Sequence, residues 1–307
     1  MASGTRPPSD SDSIEPAGQE PAGQEPAGQQ PAGQGLFGPG SVTWRIMAEP
    51  VMWVAGLRAL YLQALHPAVM MGTWQHTSFA DPGQAWGRFI RTTEFVRVRT
   101  FGTRAEVERA GRRVRKIHSS LTGVDELGRE FRLDEPELLL WVHCGEVVSY
   151  ADIARRSGVP VRAGELDAFV DEQRRGAEVV GLDPAIVPAS MADLDDYYAG
   201  MRPGLHATPE ARQALRRSFT PQLPAELMAL RLVLPPLNTL AFASLPRWAR
   251  RMYGSPGIPL TDAATNLALR AAYESSLRMP RQVLELPVAV AARRRRRAAA
   301  RIGQAAA

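Results

Sequence analysis

The sequence predicts an all-α fold, and three observations support that fold class. Alternation of apolar and polar residues, which is typical of half-buried strands, is nearly absent from the 307 residues. Apolar residues recur instead every three or four positions, as they do along the buried face of a helix. Several stretches also begin with a capping residue that is followed three positions later by an acid or Gln, the pattern of a capping box at a helix start.

The folded region is predicted to lie between two ends of biased composition. Residues 15–34 repeat the units EPAGQ and QPAGQ without large apolar side chains, so we expect residues 1–35 to form a disordered arm. Residues 289–307 form a basic tail that is rich in Arg and Ala. Between these ends, residues 36–288 are predicted to fold as a single helical domain around one core.

The first predicted helix covers residues 51–65, which are apolar nearly all round and therefore typical of a buried helix. It ends at His66-Pro67, because the residue before a proline avoids the helical conformation. A second helix, running to about Arg99, is opened by three residues suited to a helix start: Asp81, Pro82 and Gln84.

A capping box of Thr103 and Glu106 opens the third predicted helix, and Gly123 is predicted to stop it. Its apolar positions recur at spacings of three and four, namely at Val107, Ala110, Val114, Ile117 and Leu121. A fourth helix is predicted to start around Asp134. Further helices are predicted over residues 164–175, 209–218, 224–234 and 262–278.

Several common classes of protein lack support in this sequence. It contains no Walker loop, G-x-G-x-x-G, H-E-x-x-H, C-x-x-C or G-x-S-x-G motif. The net charge is +5, but the tail alone holds six arginines, so we predict no specific nucleic-acid partner. The single cysteine, Cys144, excludes an intramolecular disulfide, and no secretory leader pattern precedes the fold, so a cytoplasmic setting is predicted.

His118 is the first candidate for chemistry. On a helical wheel it lies roughly 20° beyond the apolar arc of its helix, so its ring is predicted to look partly into the core. Gly111, one heptad earlier, has no side chain on the same flank. Two interpretations stay open. Either His118 is a packed boundary residue and Gly111 permits close helix packing, or the glycine leaves room for a flat ligand in front of the imidazole.

A second candidate set lies on the preceding helix, where Arg88, Arg91, Thr92 and Phe95 recur at i, i+3, i+4 and i+7. These residues share one helix face. The arginines either extend into solvent, as is common in an Arg-rich protein, or form a cationic wall that faces an anionic group.

The order of these segments resembles a known family. The stretches "LFGPGSVTWRI", "LRALYLQALHPAVMMGTWQHTSF", "GRFIRTT", "RKIHSSLTG" and "LLLWVHCGEVVSY" follow one another over about residues 36–255. In this order they are similar to the haem b oxygenases that include latex clearing protein (rubber oxygenase) and MpaB. The resemblance implies an all-α fold with a globin-like haem-binding core, a non-covalent haem b, and the use of dioxygen to oxidise or cleave a small lipophilic substrate such as an isoprenoid.

Residue by residue, the resemblance implies that His118 is the proximal ligand of the haem iron and that Arg88 lies beside the cofactor. Gly111, from its place on the helix, is the predicted cofactor-binding residue that leaves room for the ring of the haem. It also implies that Arg88, Arg91 and Thr92 act in catalysis beside the haem. Arg91 stands where the family pattern has a lysine, and a guanidinium stays protonated and does not readily bind iron. No glutamate matches the base of rubber oxygenase, since the stretch "WQHTSF" offers Gln75 and His76 but no acid.

The missing base keeps open a second class of protein, one that binds haem or a hydrophobic ligand without turnover. A third class is a helical interaction module without haem. The arginine tail is a candidate for weak contact with an anionic membrane. The apolar residues 227–245, with predicted breaks at Pro235-Pro236, line a substrate tunnel or form plain core. His143 is predicted to be a structural residue paired with Glu146.

Sequence reasoning assigns the other side chains of interest to structural roles. His66 is predicted to lie at a helix end, and His206 in a loop. Tyr197 and Tyr198 are predicted to lie on a surface helix.

Overall fold

The computed structural model describes residues 35–77, 82–221, 223, 228, 230–255 and 257–278. Within them the fold is all-α, as predicted: twelve α-helices accompany one two-stranded antiparallel sheet. The helices are α1 (Val42–Met47), α2 (Met52–Gln63), α3 (Pro67–Gln75), α4 (Pro82–Phe101), α5 (Arg104–Ser119), α6 (Pro136–Ser157), α7 (Glu165–Val179), α8 (Met191–Met201), α9 (Pro209–Phe219), α10 (Leu230–Ala243), α11 (Arg247–Met252) and α12 (Pro259–Arg278).

The two ends of biased composition fall almost wholly outside the described residues, so the boundaries of the arm and the tail stay predictions. None of the helices in the described part of the chain is long and apolar enough to cross a bilayer.

The α2–α6 pair forms the centre of the fold, and both helices are buried along most of their length. The side chain of Gln63 donates to the carbonyl of Val142 at 2.7 Å, and the indole of Trp141 donates to the carbonyl of Gln63 at 2.9 Å. Gly145 allows this approach, because an added Cβ would lie 2.8 Å from Cγ of Gln63. The remaining helices surround this pair, which explains why residues 51–65 are apolar on all sides.

The start of α5 confirms the predicted capping box. The side chain of Thr103 accepts from the backbone of Glu106, and the Glu106 carboxylate accepts from the backbone of Thr103 at 2.7 Å. The predicted stop at Gly123 is wrong, because the helix ends at Ser119 with Ser120 as its cap. Gly123 lies instead in strand β1, where the ring of Phe131 fills the space that a side chain would need.

The unpredicted hairpin explains this early end. Strands β1 (Thr122–Val124) and β2 (Glu130–Arg132) pair in an antiparallel register. The side chain of Gln75, at the end of α3, donates to and accepts from the backbone of Val124 at 2.8 and 3.0 Å. Pairing with residues distant in sequence therefore decides the conformation after α5, and three-residue strands are too short to show as alternation.

One predicted helix starts two residues later than expected. α6 begins at Pro136 with Glu135 at the cap position, while Asp134 pairs with Arg132 at 2.7 Å and so does not start the helix. Of the helix predicted over residues 224–234, residues 230–234 lie in α10, and residues 224–227 and 229 lie outside the described residues.

The predicted break at Pro235-Pro236 is wrong, because α10 continues through both prolines. The carbonyls that lose a backbone donor there belong to Arg231 and Leu232, which are exposed to solvent. Of the other predicted helices, 164–175, 209–218 and 262–278 correspond to α7, α9 and α12.

The burial of two side chains also corrects the sequence analysis. Ile117, predicted in the apolar arc of α5, is 44% exposed, whereas Val107 in the same arc is buried. Tyr198, predicted on a surface helix, is buried in the core, with its ring 5.4 Å from that of Trp141. Both differences arise from the packing of neighbouring helices, which a single-helix pattern does not contain.

Candidate functional site

His118 lies in the last turn of α5 with its ring half-buried. Its Nδ1 atom is buried and has no hydrogen-bond partner in the structure. Burial lowers the pKa of His118, the positive charge of Arg88 lowers it further, and Asp134 opposes the shift. The imidazole is therefore neutral at physiological pH. Its buried Nδ1 atom neither donates nor accepts a hydrogen bond in the structure.

Arg88 on α4 lies within electrostatic reach of this imidazole. Its guanidinium donates to Oγ1 of Thr77 at 2.7 Å and to Oγ1 of Thr73 at 3.4 Å, so the side chain is directed from α4 towards α3. Burial and the charge of Arg91 lower the pKa of Arg88, although a guanidinium stays protonated in proteins. The structure thus brings Arg88 of α4 within electrostatic reach of His118 of α5, so two of the predicted site residues lie near each other.

Arg91 and Thr92 are more exposed than Arg88. The Arg91 guanidinium lies over Gly87, where an added Cβ would be 3.2 Å from Nη1. The hydroxyl of Thr92 donates to the carbonyl of Arg88 at 3.0 Å, one turn back along the helix. Thr92 also lines a cavity that His118, Arg88 and Arg91 do not line. Of the predicted site residues, Thr92 therefore lies at the cavity, whereas His118, Arg88 and Arg91 lie outside its wall.

Gly111 faces α7 and not an open space. A Cβ at this position would lie 2.8 Å from both Cγ1 and the carbonyl oxygen of Val179. This contact corrects the expectation that Gly111 leaves room for a flat ligand in front of His118. Close helix packing, the other interpretation of this glycine, accounts for what the structure shows.

The cavity next to Thr92 lies between the end of α1 and helices α2, α4 and α6, and encloses about 1030 Å³ when the solvent in its opening is included. Most of its wall is apolar. The main apolar side chains are those of Met47, Met52, Trp53, Leu57, Leu60, Phe89, Val96 and Phe101. Its apolar wall is typical of sites that take a small lipophilic molecule.

Glu146 and Tyr150 of α6 form a polar part of the cavity wall. The carboxylate of Glu146 accepts from both terminal nitrogens of Arg99, which is buried, and the Nη1–Oε2 distance is 3.3 Å. This pair corrects the predicted pairing of His143 with Glu146: Arg99, from another helix, takes the carboxylate. His143 is left buried with Nε2 lacking a partner in the structure, and burial together with Arg99 lowers the pKa of His143 to about 3.

His66 and His206 have the structural positions that the sequence predicts. His66 is the cap residue of α3, and His206 lies in a loop, where its ring is 2.7 Å from the carboxylate of Glu126. Sequence reasoning missed Thr73, Thr77 and Asp134 beside the His118 site. Their signal was weak, because a lone threonine or aspartate has no spacing pattern of its own.

These residues fit a haem better than a metal held by protein side chains alone. No group of three or more His, Cys, Asp or Glu residues in the described part of the chain is arranged to hold a metal ion. A haem iron needs only one protein ligand, and a neutral imidazole with a buried, unpartnered nitrogen is a suitable donor. Arg88, within electrostatic reach of His118, would supply a cation for the haem carboxylates.

Comparison with known proteins identifies a family for the chain. The family model described as "ER-bound oxygenase mpaB/B'/Rubber oxygenase, catalytic domain" matches residues 44–275, which is more than half of the chain. No curated protein and no solved structure matches the chain. The matched range includes the residues of the candidate site. The chain therefore belongs to the family of the mpaB/B' and rubber oxygenase catalytic domains.

Proposed function

We propose that this protein is a haem b-dependent oxygenase that uses dioxygen to oxidise or cleave a small lipophilic substrate. Family membership supports a general oxygenase role. The observation that carries the haem-dependent part is the state of His118: a half-buried, neutral imidazole with one buried ring nitrogen that has no partner in the structure. A buried polar atom without a partner costs free energy, and a ligand that uses it would remove that cost.

His118 would hold the haem iron in this proposal. Once bound, the iron would supply the centre at which dioxygen is activated. The lowered pKa of His118 favours this role, because only the neutral imidazole has a lone pair free for a metal. Asp134 lies within electrostatic reach of the ring and is the nearest candidate to fix its orientation.

Arg88 and Arg91 would provide positive charge beside this centre. Arg88 is held by the hydroxyls of Thr73 in α3 and of Thr77 just after it, so its position is fixed before any ligand binds. A preorganised cation stabilises developing negative charge without the cost of reorientation. Thr92 would connect this region with the cavity, because its backbone is on the helix of Arg88 and its side chain lies in the cavity wall.

The second candidate function is binding of haem or a hydrophobic ligand without turnover. The specific observation in its favour is that Glu146, an acid in the cavity wall, has both oxygens engaged by Arg99. Both oxygens of this carboxylate are thus used in an ion pair with a buried arginine. Glu49 is the other acid of the wall, and the structure assigns neither acid the role of a catalytic base.

Oxygen uptake distinguishes the two functions. The haem-loaded, reduced protein should consume dioxygen when squalene dispersed in detergent is added, and mass spectrometry should detect an oxidised product. His118→Ala should abolish the uptake, whereas His206→Asn, a change in an exposed loop, should retain it. Haem binding by the wild type without substrate-dependent uptake for squalene or a series of shorter alkenes would favour the binding function.

We also propose that residues 289–307 attach the protein weakly to anionic membranes, which would bring it to a membrane-dissolved substrate. The six arginines of this tail support the proposal, since each adds about 1 kcal/mol of attraction near an anionic surface. Full-length protein should sediment with phosphatidylserine vesicles in low salt, and a chain ending at residue 288 should not. Equal sedimentation of the two would remove the proposal.

A further inference from the structure

The cavity between α2, α4 and α6 has a polar part whose chemistry is specific enough to select one class of ligand. Tyr150 lies in its wall opposite Gly56, where an added Cβ would be 3.4 Å from the tyrosine hydroxyl. The ring of Tyr150 is buried. No described residue makes a hydrogen bond with its hydroxyl. This side chain therefore offers a hydroxyl at the wall of an apolar space.

The protonation state of this hydroxyl makes it a donor. Burial raises the pKa of Tyr150, and the neighbouring negative charge of Glu146 raises it further. The phenol thus keeps its proton over the whole physiological range. A donor at the wall of a cavity that makes no hydrogen bond within the protein is available to a ligand that supplies an acceptor.

Glu146 presents the complementary acceptor one helical turn away from Tyr150. Its two contacts with Arg99 use only part of the acceptor capacity of a carboxylate, which has about four lone-pair sites. The side chain is mostly but not fully buried, and it lines the same cavity. A donor and an acceptor thus stand side by side at the polar part of the cavity.

The charges around the cavity decide which ligand end group fits. A carboxylate would face the negative charge of Glu146. Arg97, a cation in the wall, pairs with Glu94 at 3.1 Å through Nη1, while its buried Nε has no partner in the structure, so a carboxylate is the competing ligand class that the test includes. An ammonium group would face the positive charge of Arg99 behind Glu146. A hydroxyl carries no net charge, donates to a carboxylate and accepts from a phenol, so it satisfies both protein groups.

We propose that the cavity binds a long-chain alcohol, with its apolar chain between α2 and α4 and its hydroxyl between Tyr150 and Glu146. This inference deepens the proposed function by naming the class of its substrate. It rests on that function only for the oxidation that would follow binding. The binding itself depends on residues separate from the His118 site.

The test is calorimetric titration of the full-length protein with 1-decanol, decanoate and decylammonium at pH 7.5, with Trp53 fluorescence as a second signal from the cavity wall. We expect decanol to bind about tenfold more tightly than either charged probe. Tyr150→Phe keeps the buried ring and removes the donor, so it should weaken decanol binding by about fivefold, the effect of one neutral hydrogen bond.

Two further variants separate this result from indirect effects. Tyr197→Phe is the matched control, because it removes another hydroxyl without a partner in the structure from outside the cavity wall, and it should bind decanol like the wild type. Gly56→Leu fills the cavity from α2 and should weaken all three probes together. Decanol binding that Tyr150→Phe leaves unchanged, or a charged probe that binds as tightly as decanol, overturns the proposal.

The same titration on haem-loaded protein distinguishes the failure of this inference from that of the proposed function. If haem loading abolishes decanol binding, the cavity is the space of the haem and the inference falls. If the protein binds no haem but keeps the selectivity for decanol and its loss in Tyr150→Phe, the haem-dependent function falls and the alcohol site stands.

Discussion

The guanidinium of Arg99 on α4 donates to both carboxylate oxygens of Glu146 on α6, and this pair links the two helices that face each other across the cavity. Arg99 is buried, whereas Glu146 keeps a small exposed fraction on the cavity side. The pair therefore does two things. It neutralises a buried cation, and it holds a carboxylate at the wall of an otherwise apolar space.

Glu146→Gln should destabilise the fold strongly, because it leaves the charge of Arg99 buried without a counter-charge. Removal of one partner from a buried ion pair typically costs about 3–5 kcal/mol. The matched control is Glu108→Gln, which breaks an exposed pair with Arg104 and should cost less than about 1 kcal/mol. Urea denaturation measures both. Similar losses in the two variants would contradict the structural role given to Arg99.

Gly111→Ala should lower the free energy of unfolding by about 1–3 kcal/mol, the usual cost of an added methyl in a closely packed contact. The new Cβ would meet the carbonyl of Val179, which is backbone and cannot rotate away. Gly200 provides the control, since it is also helical and a Cβ there meets nothing within 4 Å, so Gly200→Ala should stabilise by about 0.5–1 kcal/mol. If both alanine variants shift stability in the same direction, α5 and α7 do not pack as described.

His143 should make the fold sensitive to mild acid. Its pKa falls from 6.5 to about 3 on folding, so below pH 6.5 the unfolded chain takes up a proton that the folded chain excludes. Stability is therefore lost as the pH falls from 6.5 towards 3. Between pH 7.5 and pH 5 the loss from this residue is about 2 kcal/mol. His143→Leu should show a correspondingly flatter pH dependence in chemical denaturation, and identical slopes in the two proteins would refute the assignment.

Local signals in the sequence predicted local structure well. The capping box of Thr103 and Glu106 is confirmed, because its donors and acceptors lie within one turn of chain. The all-round apolar pattern of residues 51–65 likewise indicated a buried helix, since the average environment of a helix is recorded in its own residues.

Features that depend on distant partners were not predictable in this way. Gly123 was assigned to a helix stop, although its partner is Phe131 in a hairpin. His143 was paired with Glu146 by the i, i+3 rule, but Arg99 from α4 takes that carboxylate. The contact between Gly111 and Val179 needs the position of α7, which no spacing within α5 records.

The candidate site shows the same division. The spacing of Arg88, Arg91 and Thr92 predicts that they share one face of a helix. It does not predict that Thr92 lines the cavity while Arg88 contacts Thr77 outside the cavity wall. The proximity of Arg88 to His118 followed only from the resemblance to a family, and Thr73, Thr77 and Tyr150 carried no pattern that would single them out.

The central claim is that His118 binds the iron of a haem, and the absorption spectrum of the protein expressed with added haem precursor tests it most directly. We predict a Soret band near ~400 nm in the wild type and in the loop variant His206→Asn, and its loss or a large shift in His118→Ala. A wild type that takes up no haem, or a His118→Ala variant whose oxidised and reduced spectra match those of the wild type, would contradict the claim.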